Sequence, residues 1–187
     1  ELQIQNKVLS PQKARIAYRL QNILAIDDKL YVDPVINEVT VDFIIIRPNK
    51  GILLITLFDK NLNDYCLSEN KKELSVKNID GRSEKNTETV LSPFELNNIC
   101  QLSIKDCVEE LLLSTIEDNR NFGLIKKAVI FSENSIEDIK KFWNVQDEKK
   151  SHTYFFGHEF ISNPIISQSL FTKLNFICNT QNFDDIV

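Results

Sequence analysis

The stretch VDFIIIRPNKGILLITLFDK, Val41 to Lys60, constrains the fold more than any other part of the chain. It contains two runs of β-branched and aliphatic residues, FIII and ILLITLF, separated by Arg47-Pro48-Asn49-Lys50-Gly51. Pro48 offers no N–H to a ladder and Gly51 is free to take a positive φ, so the break reads as a tight turn between two strands. Neither run alternates apolar with polar residues. Both faces of each strand must therefore be covered, which predicts the centre of a sheet packed between two layers. One acid, Asp42, stands near the start of the first strand. An acid on such a strand is costly without a partner, so some donor is expected to meet it.

The flanking segments supply the layers. Ser10 and Pro11 open an amphipathic helix carrying Ile16, Leu20, Ile23 and Leu24, expected to end near Asp27. KLYVDPVIN is a short extended piece interrupted by Pro34, and EVTVDFIIIRP reads as one strand stopped by Pro48. NDYCLSENKKELSVKNI predicts a more polar hairpin turning around Glu69 to Lys72. DGRSEKNTETVL reads as an exposed loop. Ser92, Pro93 and Glu95 form a helix start before a long helix striped with Ile99, Cys100, Ile104, Cys107, Val108 and Leu111. A third core strand, GLIKKAVIFS, follows. Then come a short helix capped by Asn134 or Ser135, an edge or fourth strand in KSHTYFFG, and a last helix with Ile165, Ile166, Leu170 and Leu174. This order predicts an α/β fold with a mixed sheet, built as one domain over 1–187 with its core at about 10–131.

The order of elements and the Val41–Lys60 stretch resemble the nuclease-related domain (NERD) family of the restriction-endonuclease-like PD-(D/E)xK superfamily. The likeness covers roughly residues 10 to 131. It rests on the leading helix, the Asp within VDFIII, the RPNKG turn, the ILLITLF strand and the Ser-Pro opening of the long helix. It implies a restriction-endonuclease-like mixed central sheet flanked by helices. Carried over by motif, Asp42 matches the family's strand Asp, Gly51 its turn Gly, and Pro93 the Pro before the long helix. The family's Glu position falls on Thr56 and its Lys position on Phe58. Leu96 and Asn97 stand where a Gln is usual, and PQKARIAYRL carries no acid where the early helix usually has a Glu.

The family's reaction explains why those departures matter. Phosphodiester hydrolysis there needs Mg²⁺ held by two carboxylates, with a Lys that positions the attacking water. Residues two apart on a strand share a face, so Ile52, Leu54, Thr56, Phe58 and Lys60 point the same way. Thr56 offers a neutral hydroxyl, a weak Mg²⁺ ligand, and Phe58 offers nothing polar. The leading expectation is a catalytically degenerate domain with no cofactor. It acts as a DNA-binding or scaffolding module beside a helicase-type motor in DNA processing or defence, a partner that only the resemblance implies. One alternative is an active Mg²⁺-dependent nuclease with a displaced site. That site uses Asp42 as metal ligand, Lys60 on the same face, Thr56, and an acid from among Asp33, Glu38, Asp64 and Glu95. A further alternative is a protein-interaction domain with no nucleic-acid role.

Other chemistry finds less support. The net charge is −5 and the pI about 5.2, whereas proteins that grip phosphates usually show a basic surplus. Basic residues gather locally, as in ENKKELSVK and LIKKAVIF, but acids interleave with them. Four Gly in the whole sequence leave no phosphate-cradling motif. His152, His158 and Glu159 have a spacing that fits neither a strand face nor a helix turn. Cys66, Cys100, Cys107 and Cys178 form no CxxC pair and read as free thiols of a reducing cytosol, giving an expected cytoplasmic location. No window is long and apolar enough for a membrane span. The chain contains no Met, even at its start, which points to a piece of a longer protein.

Overall fold

The computed structural model describes residues 2–4, 9–48, 51–77, 89–112, 125–150 and 152–174. Its centre is the pair read from Val41–Lys60: β5 (Phe43–Arg47) and β6 (Gly51–Phe58) run antiparallel, in register from Phe43↔Ile55 to Arg47↔Gly51. Gly51 has φ 120°, a conformation that a side chain would resist. On the outer side of β5 lies β2 (Lys29–Val32), also antiparallel, with β1 (Leu2–Ile4) parallel beyond it. On the other side of β6, β10 (Ile125–Phe131) and then β12 (Thr153–Phe156) run parallel to it. The two-residue β11 (Lys149–Lys150) closes that edge, so among the described residues the sheet has seven strands in the order β1-β2-β5-β6-β10-β12-β11.

Helices cover both faces, as the unbroken apolar strands require. On one face, α1 (Pro11–Gln21), α4 (Glu159–Ser162) and α5 (Pro164–Leu174) bury Ile16, Leu20, Phe160 and Leu170 against Leu53, Ile55 and Ile130. On the other, α2 (Pro93–Leu112) sets Cys100 and Ile104 against Val41, Ile44 and Leu54. Beside it, α3 (Ile136–Trp143) brings Trp143 to an aromatic cluster with Phe58, Phe94, Phe131 and Phe155. Trp143 meets Phe94 edge-on at 5.1 Å between centroids. A second, three-stranded sheet of β7 (Tyr65–Leu67), β8 (Glu73–Val76) and β9 (Thr89–Leu91) caps this cluster with Tyr65 and Leu74. The chain is therefore mixed α/β, with a mixed central sheet flanked by helices.

Helix starts lie where the caps predicted them. Ser10 Oγ accepts from Lys13 N, Ser92 Oγ from Glu95 N, and Ser135 forms a reciprocal capping box with Asp138. Asn134, the other cap candidate, does something else. It is 3% exposed, accepts from Leu62 N at 2.8 Å and donates to Lys60 O at 2.8 Å, tying the turn after β6 to the turn after β10. Asn134→Ala leaves both backbone groups without this partner, and should lower stability by about 2 kcal/mol, read as a shift in urea midpoint at unchanged slope.

Four expectations need correction. The first helix ends at Gln21, not near Asp27, because Asp28 organises the following turn: it accepts from Ala25 N at 2.8 Å and receives the Arg47 guanidinium at 2.8 and 2.6 Å. EVTVDFIIIRP is not one strand. Val39–Thr40 (β4) pairs back on Val35–Ile36 (β3) through Asn37-Glu38, both at positive φ as a two-residue hairpin turn requires. The segment read as exposed loop contributes β9, with 78–88 outside the described residues. Of the two readings of KSHTYFFG, a further core strand holds and the edge does not: it supplies β12 next to β10, and β11 takes the edge. Asn49, Lys50 and Cys178 also lie outside the described residues.

Candidate functional site

The small β3–β4 hairpin creates the site. Its base is closed by Asp33 N donating to Asp42 O at 3.0 Å and Val41 N donating to Pro34 O at 2.9 Å. Asp33 sits at φ 53°, a left-handed conformation that Asp tolerates better than most residues. Two carboxylates far apart in sequence thus become neighbours at one end of the central sheet. Asp42 Oδ2 accepts from Leu57 N at 2.8 Å, standing in for the ladder carbonyl that the strand break removes. This is the donor that the apolar setting of Asp42 demanded. The remaining oxygen, Oδ1, faces a cation.

That cation is the Lys13 ammonium, which lies 2.7 Å from Asp42 Oδ1 and 2.5 Å from Asp33 Oδ1. The three side chains are only 17, 12 and 21% exposed for Lys13, Asp33 and Asp42. Lys13 belongs to the first turn of α1, which contains no acid. A lysine there opposes the helix dipole, so its placement is explained by the two carboxylates rather than by its own helix. Burial disfavours the ammonium, but the hydrogen bonds it donates to Asp33 and Asp42 outweigh that and hold its pKa above the usual lysine value.

Extending the β5–β6 register one step beyond Phe43↔Ile55 sets Asp42 opposite Thr56. Thr56 is 2% exposed, and Phe58 is buried in the aromatic cluster on the α2 side. Lys60 is exposed and its ammonium lies over the Tyr65 ring, 6.0 Å from the centroid, while its carbonyl is held by Asn134. The structure therefore joins Asp42 to Asp33 and Lys13, with Thr56 across the ladder, and engages Lys60 elsewhere. Of the acids weighed as additional ligands, Asp33 is the one brought to Asp42. Glu95 pairs with Lys72 at 3.2 Å. His152 and His158 lie at opposite ends of β12, and His158 Nδ1 is 4.0 Å from Glu159 Oε2.

Among the described residues, no three His, Cys, Asp or Glu side chains gather as a metal-binding group, and no helix is long and apolar enough to cross a membrane. Cys100 lies on the α2 face near this site. Burial and the Asp42 charge push its thiol up to about 11. Iodoacetamide at pH 8 should therefore modify the half-buried Cys66 and Cys107 well before Cys100, with peptide mapping as the readout. No family model matches the chain, no curated protein matches it, and no solved structure matches it.

Proposed function

We propose that the chain is a nuclease-related, restriction-endonuclease-like domain whose metal site is closed, and that it serves as a DNA-binding or scaffolding module of a larger protein. The observation carrying this reading is the Lys13 ammonium lodged between Asp33 and Asp42. A hard divalent ion needs oxygen ligands at about 2.0–2.1 Å around a hydrated centre. Here both Asp42 oxygens are engaged by protein donors, the facing residue is Thr56, and Phe58 fills the next position on that strand face. A fixed ammonium does the electrostatic work that a bound cation would do, and it activates no water.

The order of α1, the antiparallel β2-β5-β6, the connecting α2 and the parallel β10 accords with the fold that the family resemblance implies. A helicase-type motor in the same protein or complex is the partner this reading suggests. One arrangement favours a second reading. Asp33, Asp42 and Lys13 together supply two carboxylates and a lysine, the complement that Mg²⁺-dependent phosphodiester cleavage requires, with the acid at Asp33 and the lysine on α1.

A plasmid and short-duplex assay separates the two. The closed-site module gives salt-sensitive DNA association with no cutting in Mg²⁺ or Mn²⁺. The displaced nuclease gives cutting that both Asp42→Asn and Asp33→Asn abolish. Absence of association at low salt together with absence of cutting would reject both and leave a protein partner.

A further inference from the structure

A second concave site lies on the α2 face of the sheet, away from Asp42. It is a pocket of about 450 Å³ between the β7–β8 turn, the first turns of α2 and the β11–β12 edge. Lys71 and Lys72 enter from the turn, Lys150 from β11, and Glu95 and Asn98 from α2. Behind Asn98 is Lys127 of β10, 8% exposed, which donates to Asn98 Oδ1 at 2.7 Å. Among the described residues, four lysines thus surround one carboxylate, in a chain whose net charge is −5.

The one acid is already engaged. Glu95 Oε1 takes Lys72 at 3.2 Å, and Oε2 accepts from Asn98 Nδ2 at 3.3 Å. Among the described residues, Lys71 and Lys150 make no ion pair. The Lys150 ammonium rests over the rings of Phe94 and Trp143, 4.5 and 5.6 Å from their centroids. Cation–π contact of this kind holds the ammonium in place while leaving its positive charge unneutralised. Lys71 is fixed at φ 59° in a turn that Asn70 closes by accepting from Lys72 N and Ser68 Oγ. Burial and the neighbouring Lys71 together bring Lys150 down to about 8, and burial also lowers Lys127. The cost of crowding these cations is relieved by a bound anion.

We propose that this pocket binds a phosphate monoester dianion, with Lys71 and Lys150 as its charge partners, Lys72 at the rim, and Lys127 and Asn98 behind. The volume suits a phosphate with part of its ester group. A free metabolite and the 5′-terminal phosphate of a nucleic-acid strand share this chemistry. The inference stands apart from the nuclease-related reading, because inorganic phosphate should bind whether or not duplex DNA does.

The test is calorimetric titration of the intact chain with sodium phosphate, then competition by 5′-phosphorylated and 5′-hydroxyl hexathymidylate. Wild type should give saturable binding. Lys71→Gln and Lys150→Gln should each weaken it about tenfold, the loss of one charge-assisted hydrogen bond, while Lys60→Gln leaves it unchanged. Displacement by the phosphorylated strand alone identifies a strand end as the source. Binding of phosphate without displacement by either strand identifies a small ester. Lys71 is exposed, so its variant decides the matter even if Lys150→Gln folds poorly. No phosphate binding by wild type, or equal binding by Lys71→Gln, overturns the proposal.

Discussion

Lys13→Met should lower the stability of the fold by about 3 kcal/mol at neutral pH and open a seat for divalent cations. Met keeps most of the side-chain length and deletes the charge, so two facing carboxylates lose their shared counter-ion while Asp42 stays fixed to Leu57 N. The loss should shrink when Asp33→Asn is added, since one repelling charge is then gone. It should also shrink in millimolar Mn²⁺, which takes the vacated position. The pH dependence has a definite sign. The folded pKa of Lys13 is raised above 10.5. Its contribution is therefore complete below that value and declines only as pH climbs through the higher folded value. Wild type and variant should differ most from neutral to mildly alkaline pH and converge in strong alkali. Urea midpoints that coincide at pH 7 would show that Lys13 stabilises nothing, and Mn²⁺ rescue would have no basis.

Gly157→Ala should be comparably severe, at about 3 kcal/mol, for a reason of space alone. Gly157 links β12 to α4 and is buried. A Cβ built there would lie 2.6 Å from Ile136 N and 2.8 Å from Asn134 O, as well as against Glu159 Oε2. A carboxylate can swing aside, but backbone atoms at the start of α3 cannot move without disturbing the Ser135 capping box and the bond from His158 N to Asn134 O. The double variant Gly157→Ala/Glu159→Ala should accordingly recover little of the lost stability. Full recovery would mean that the side chain alone sets the limit.

The fold was largely legible because it is written in local terms. FIII and ILLITLF are long, β-branched and free of polar alternation, and Ser10, Ser92 and Ser135 announce three helices by side-chain chemistry within four residues. The break at Val41–Asp42 was not legible. EVTVDFIII looks continuous by propensity, and only the tertiary pairing of Val41 N with Pro34 O turns it into a hairpin followed by a strand. The site was legible at Asp42 and no further. Asp33 was one of four acids that could approach, and Lys13 was not singled out. A signal for Lys13 existed: a lysine in the first turn of a helix that has no acid there to balance it. The lysine pocket was hidden for another reason. Its charges come from three separate segments, and only folding brings the lysines to one side.

The parallel pairing of β6 with β10 affects how the chain is made. β5 meets one side of ILLITLF almost at once, but the other side has no neighbour until synthesis has passed through the whole of α2. During that interval a growing polypeptide presents a bare, water-averse ribbon with unpaired amides, the kind of surface that chaperones shield and that sticks to its own copies. Delay at the ribosome anywhere between Phe58 and Ile125 therefore prolongs the period of greatest hazard, and a shortened product ending there keeps that hazard permanently.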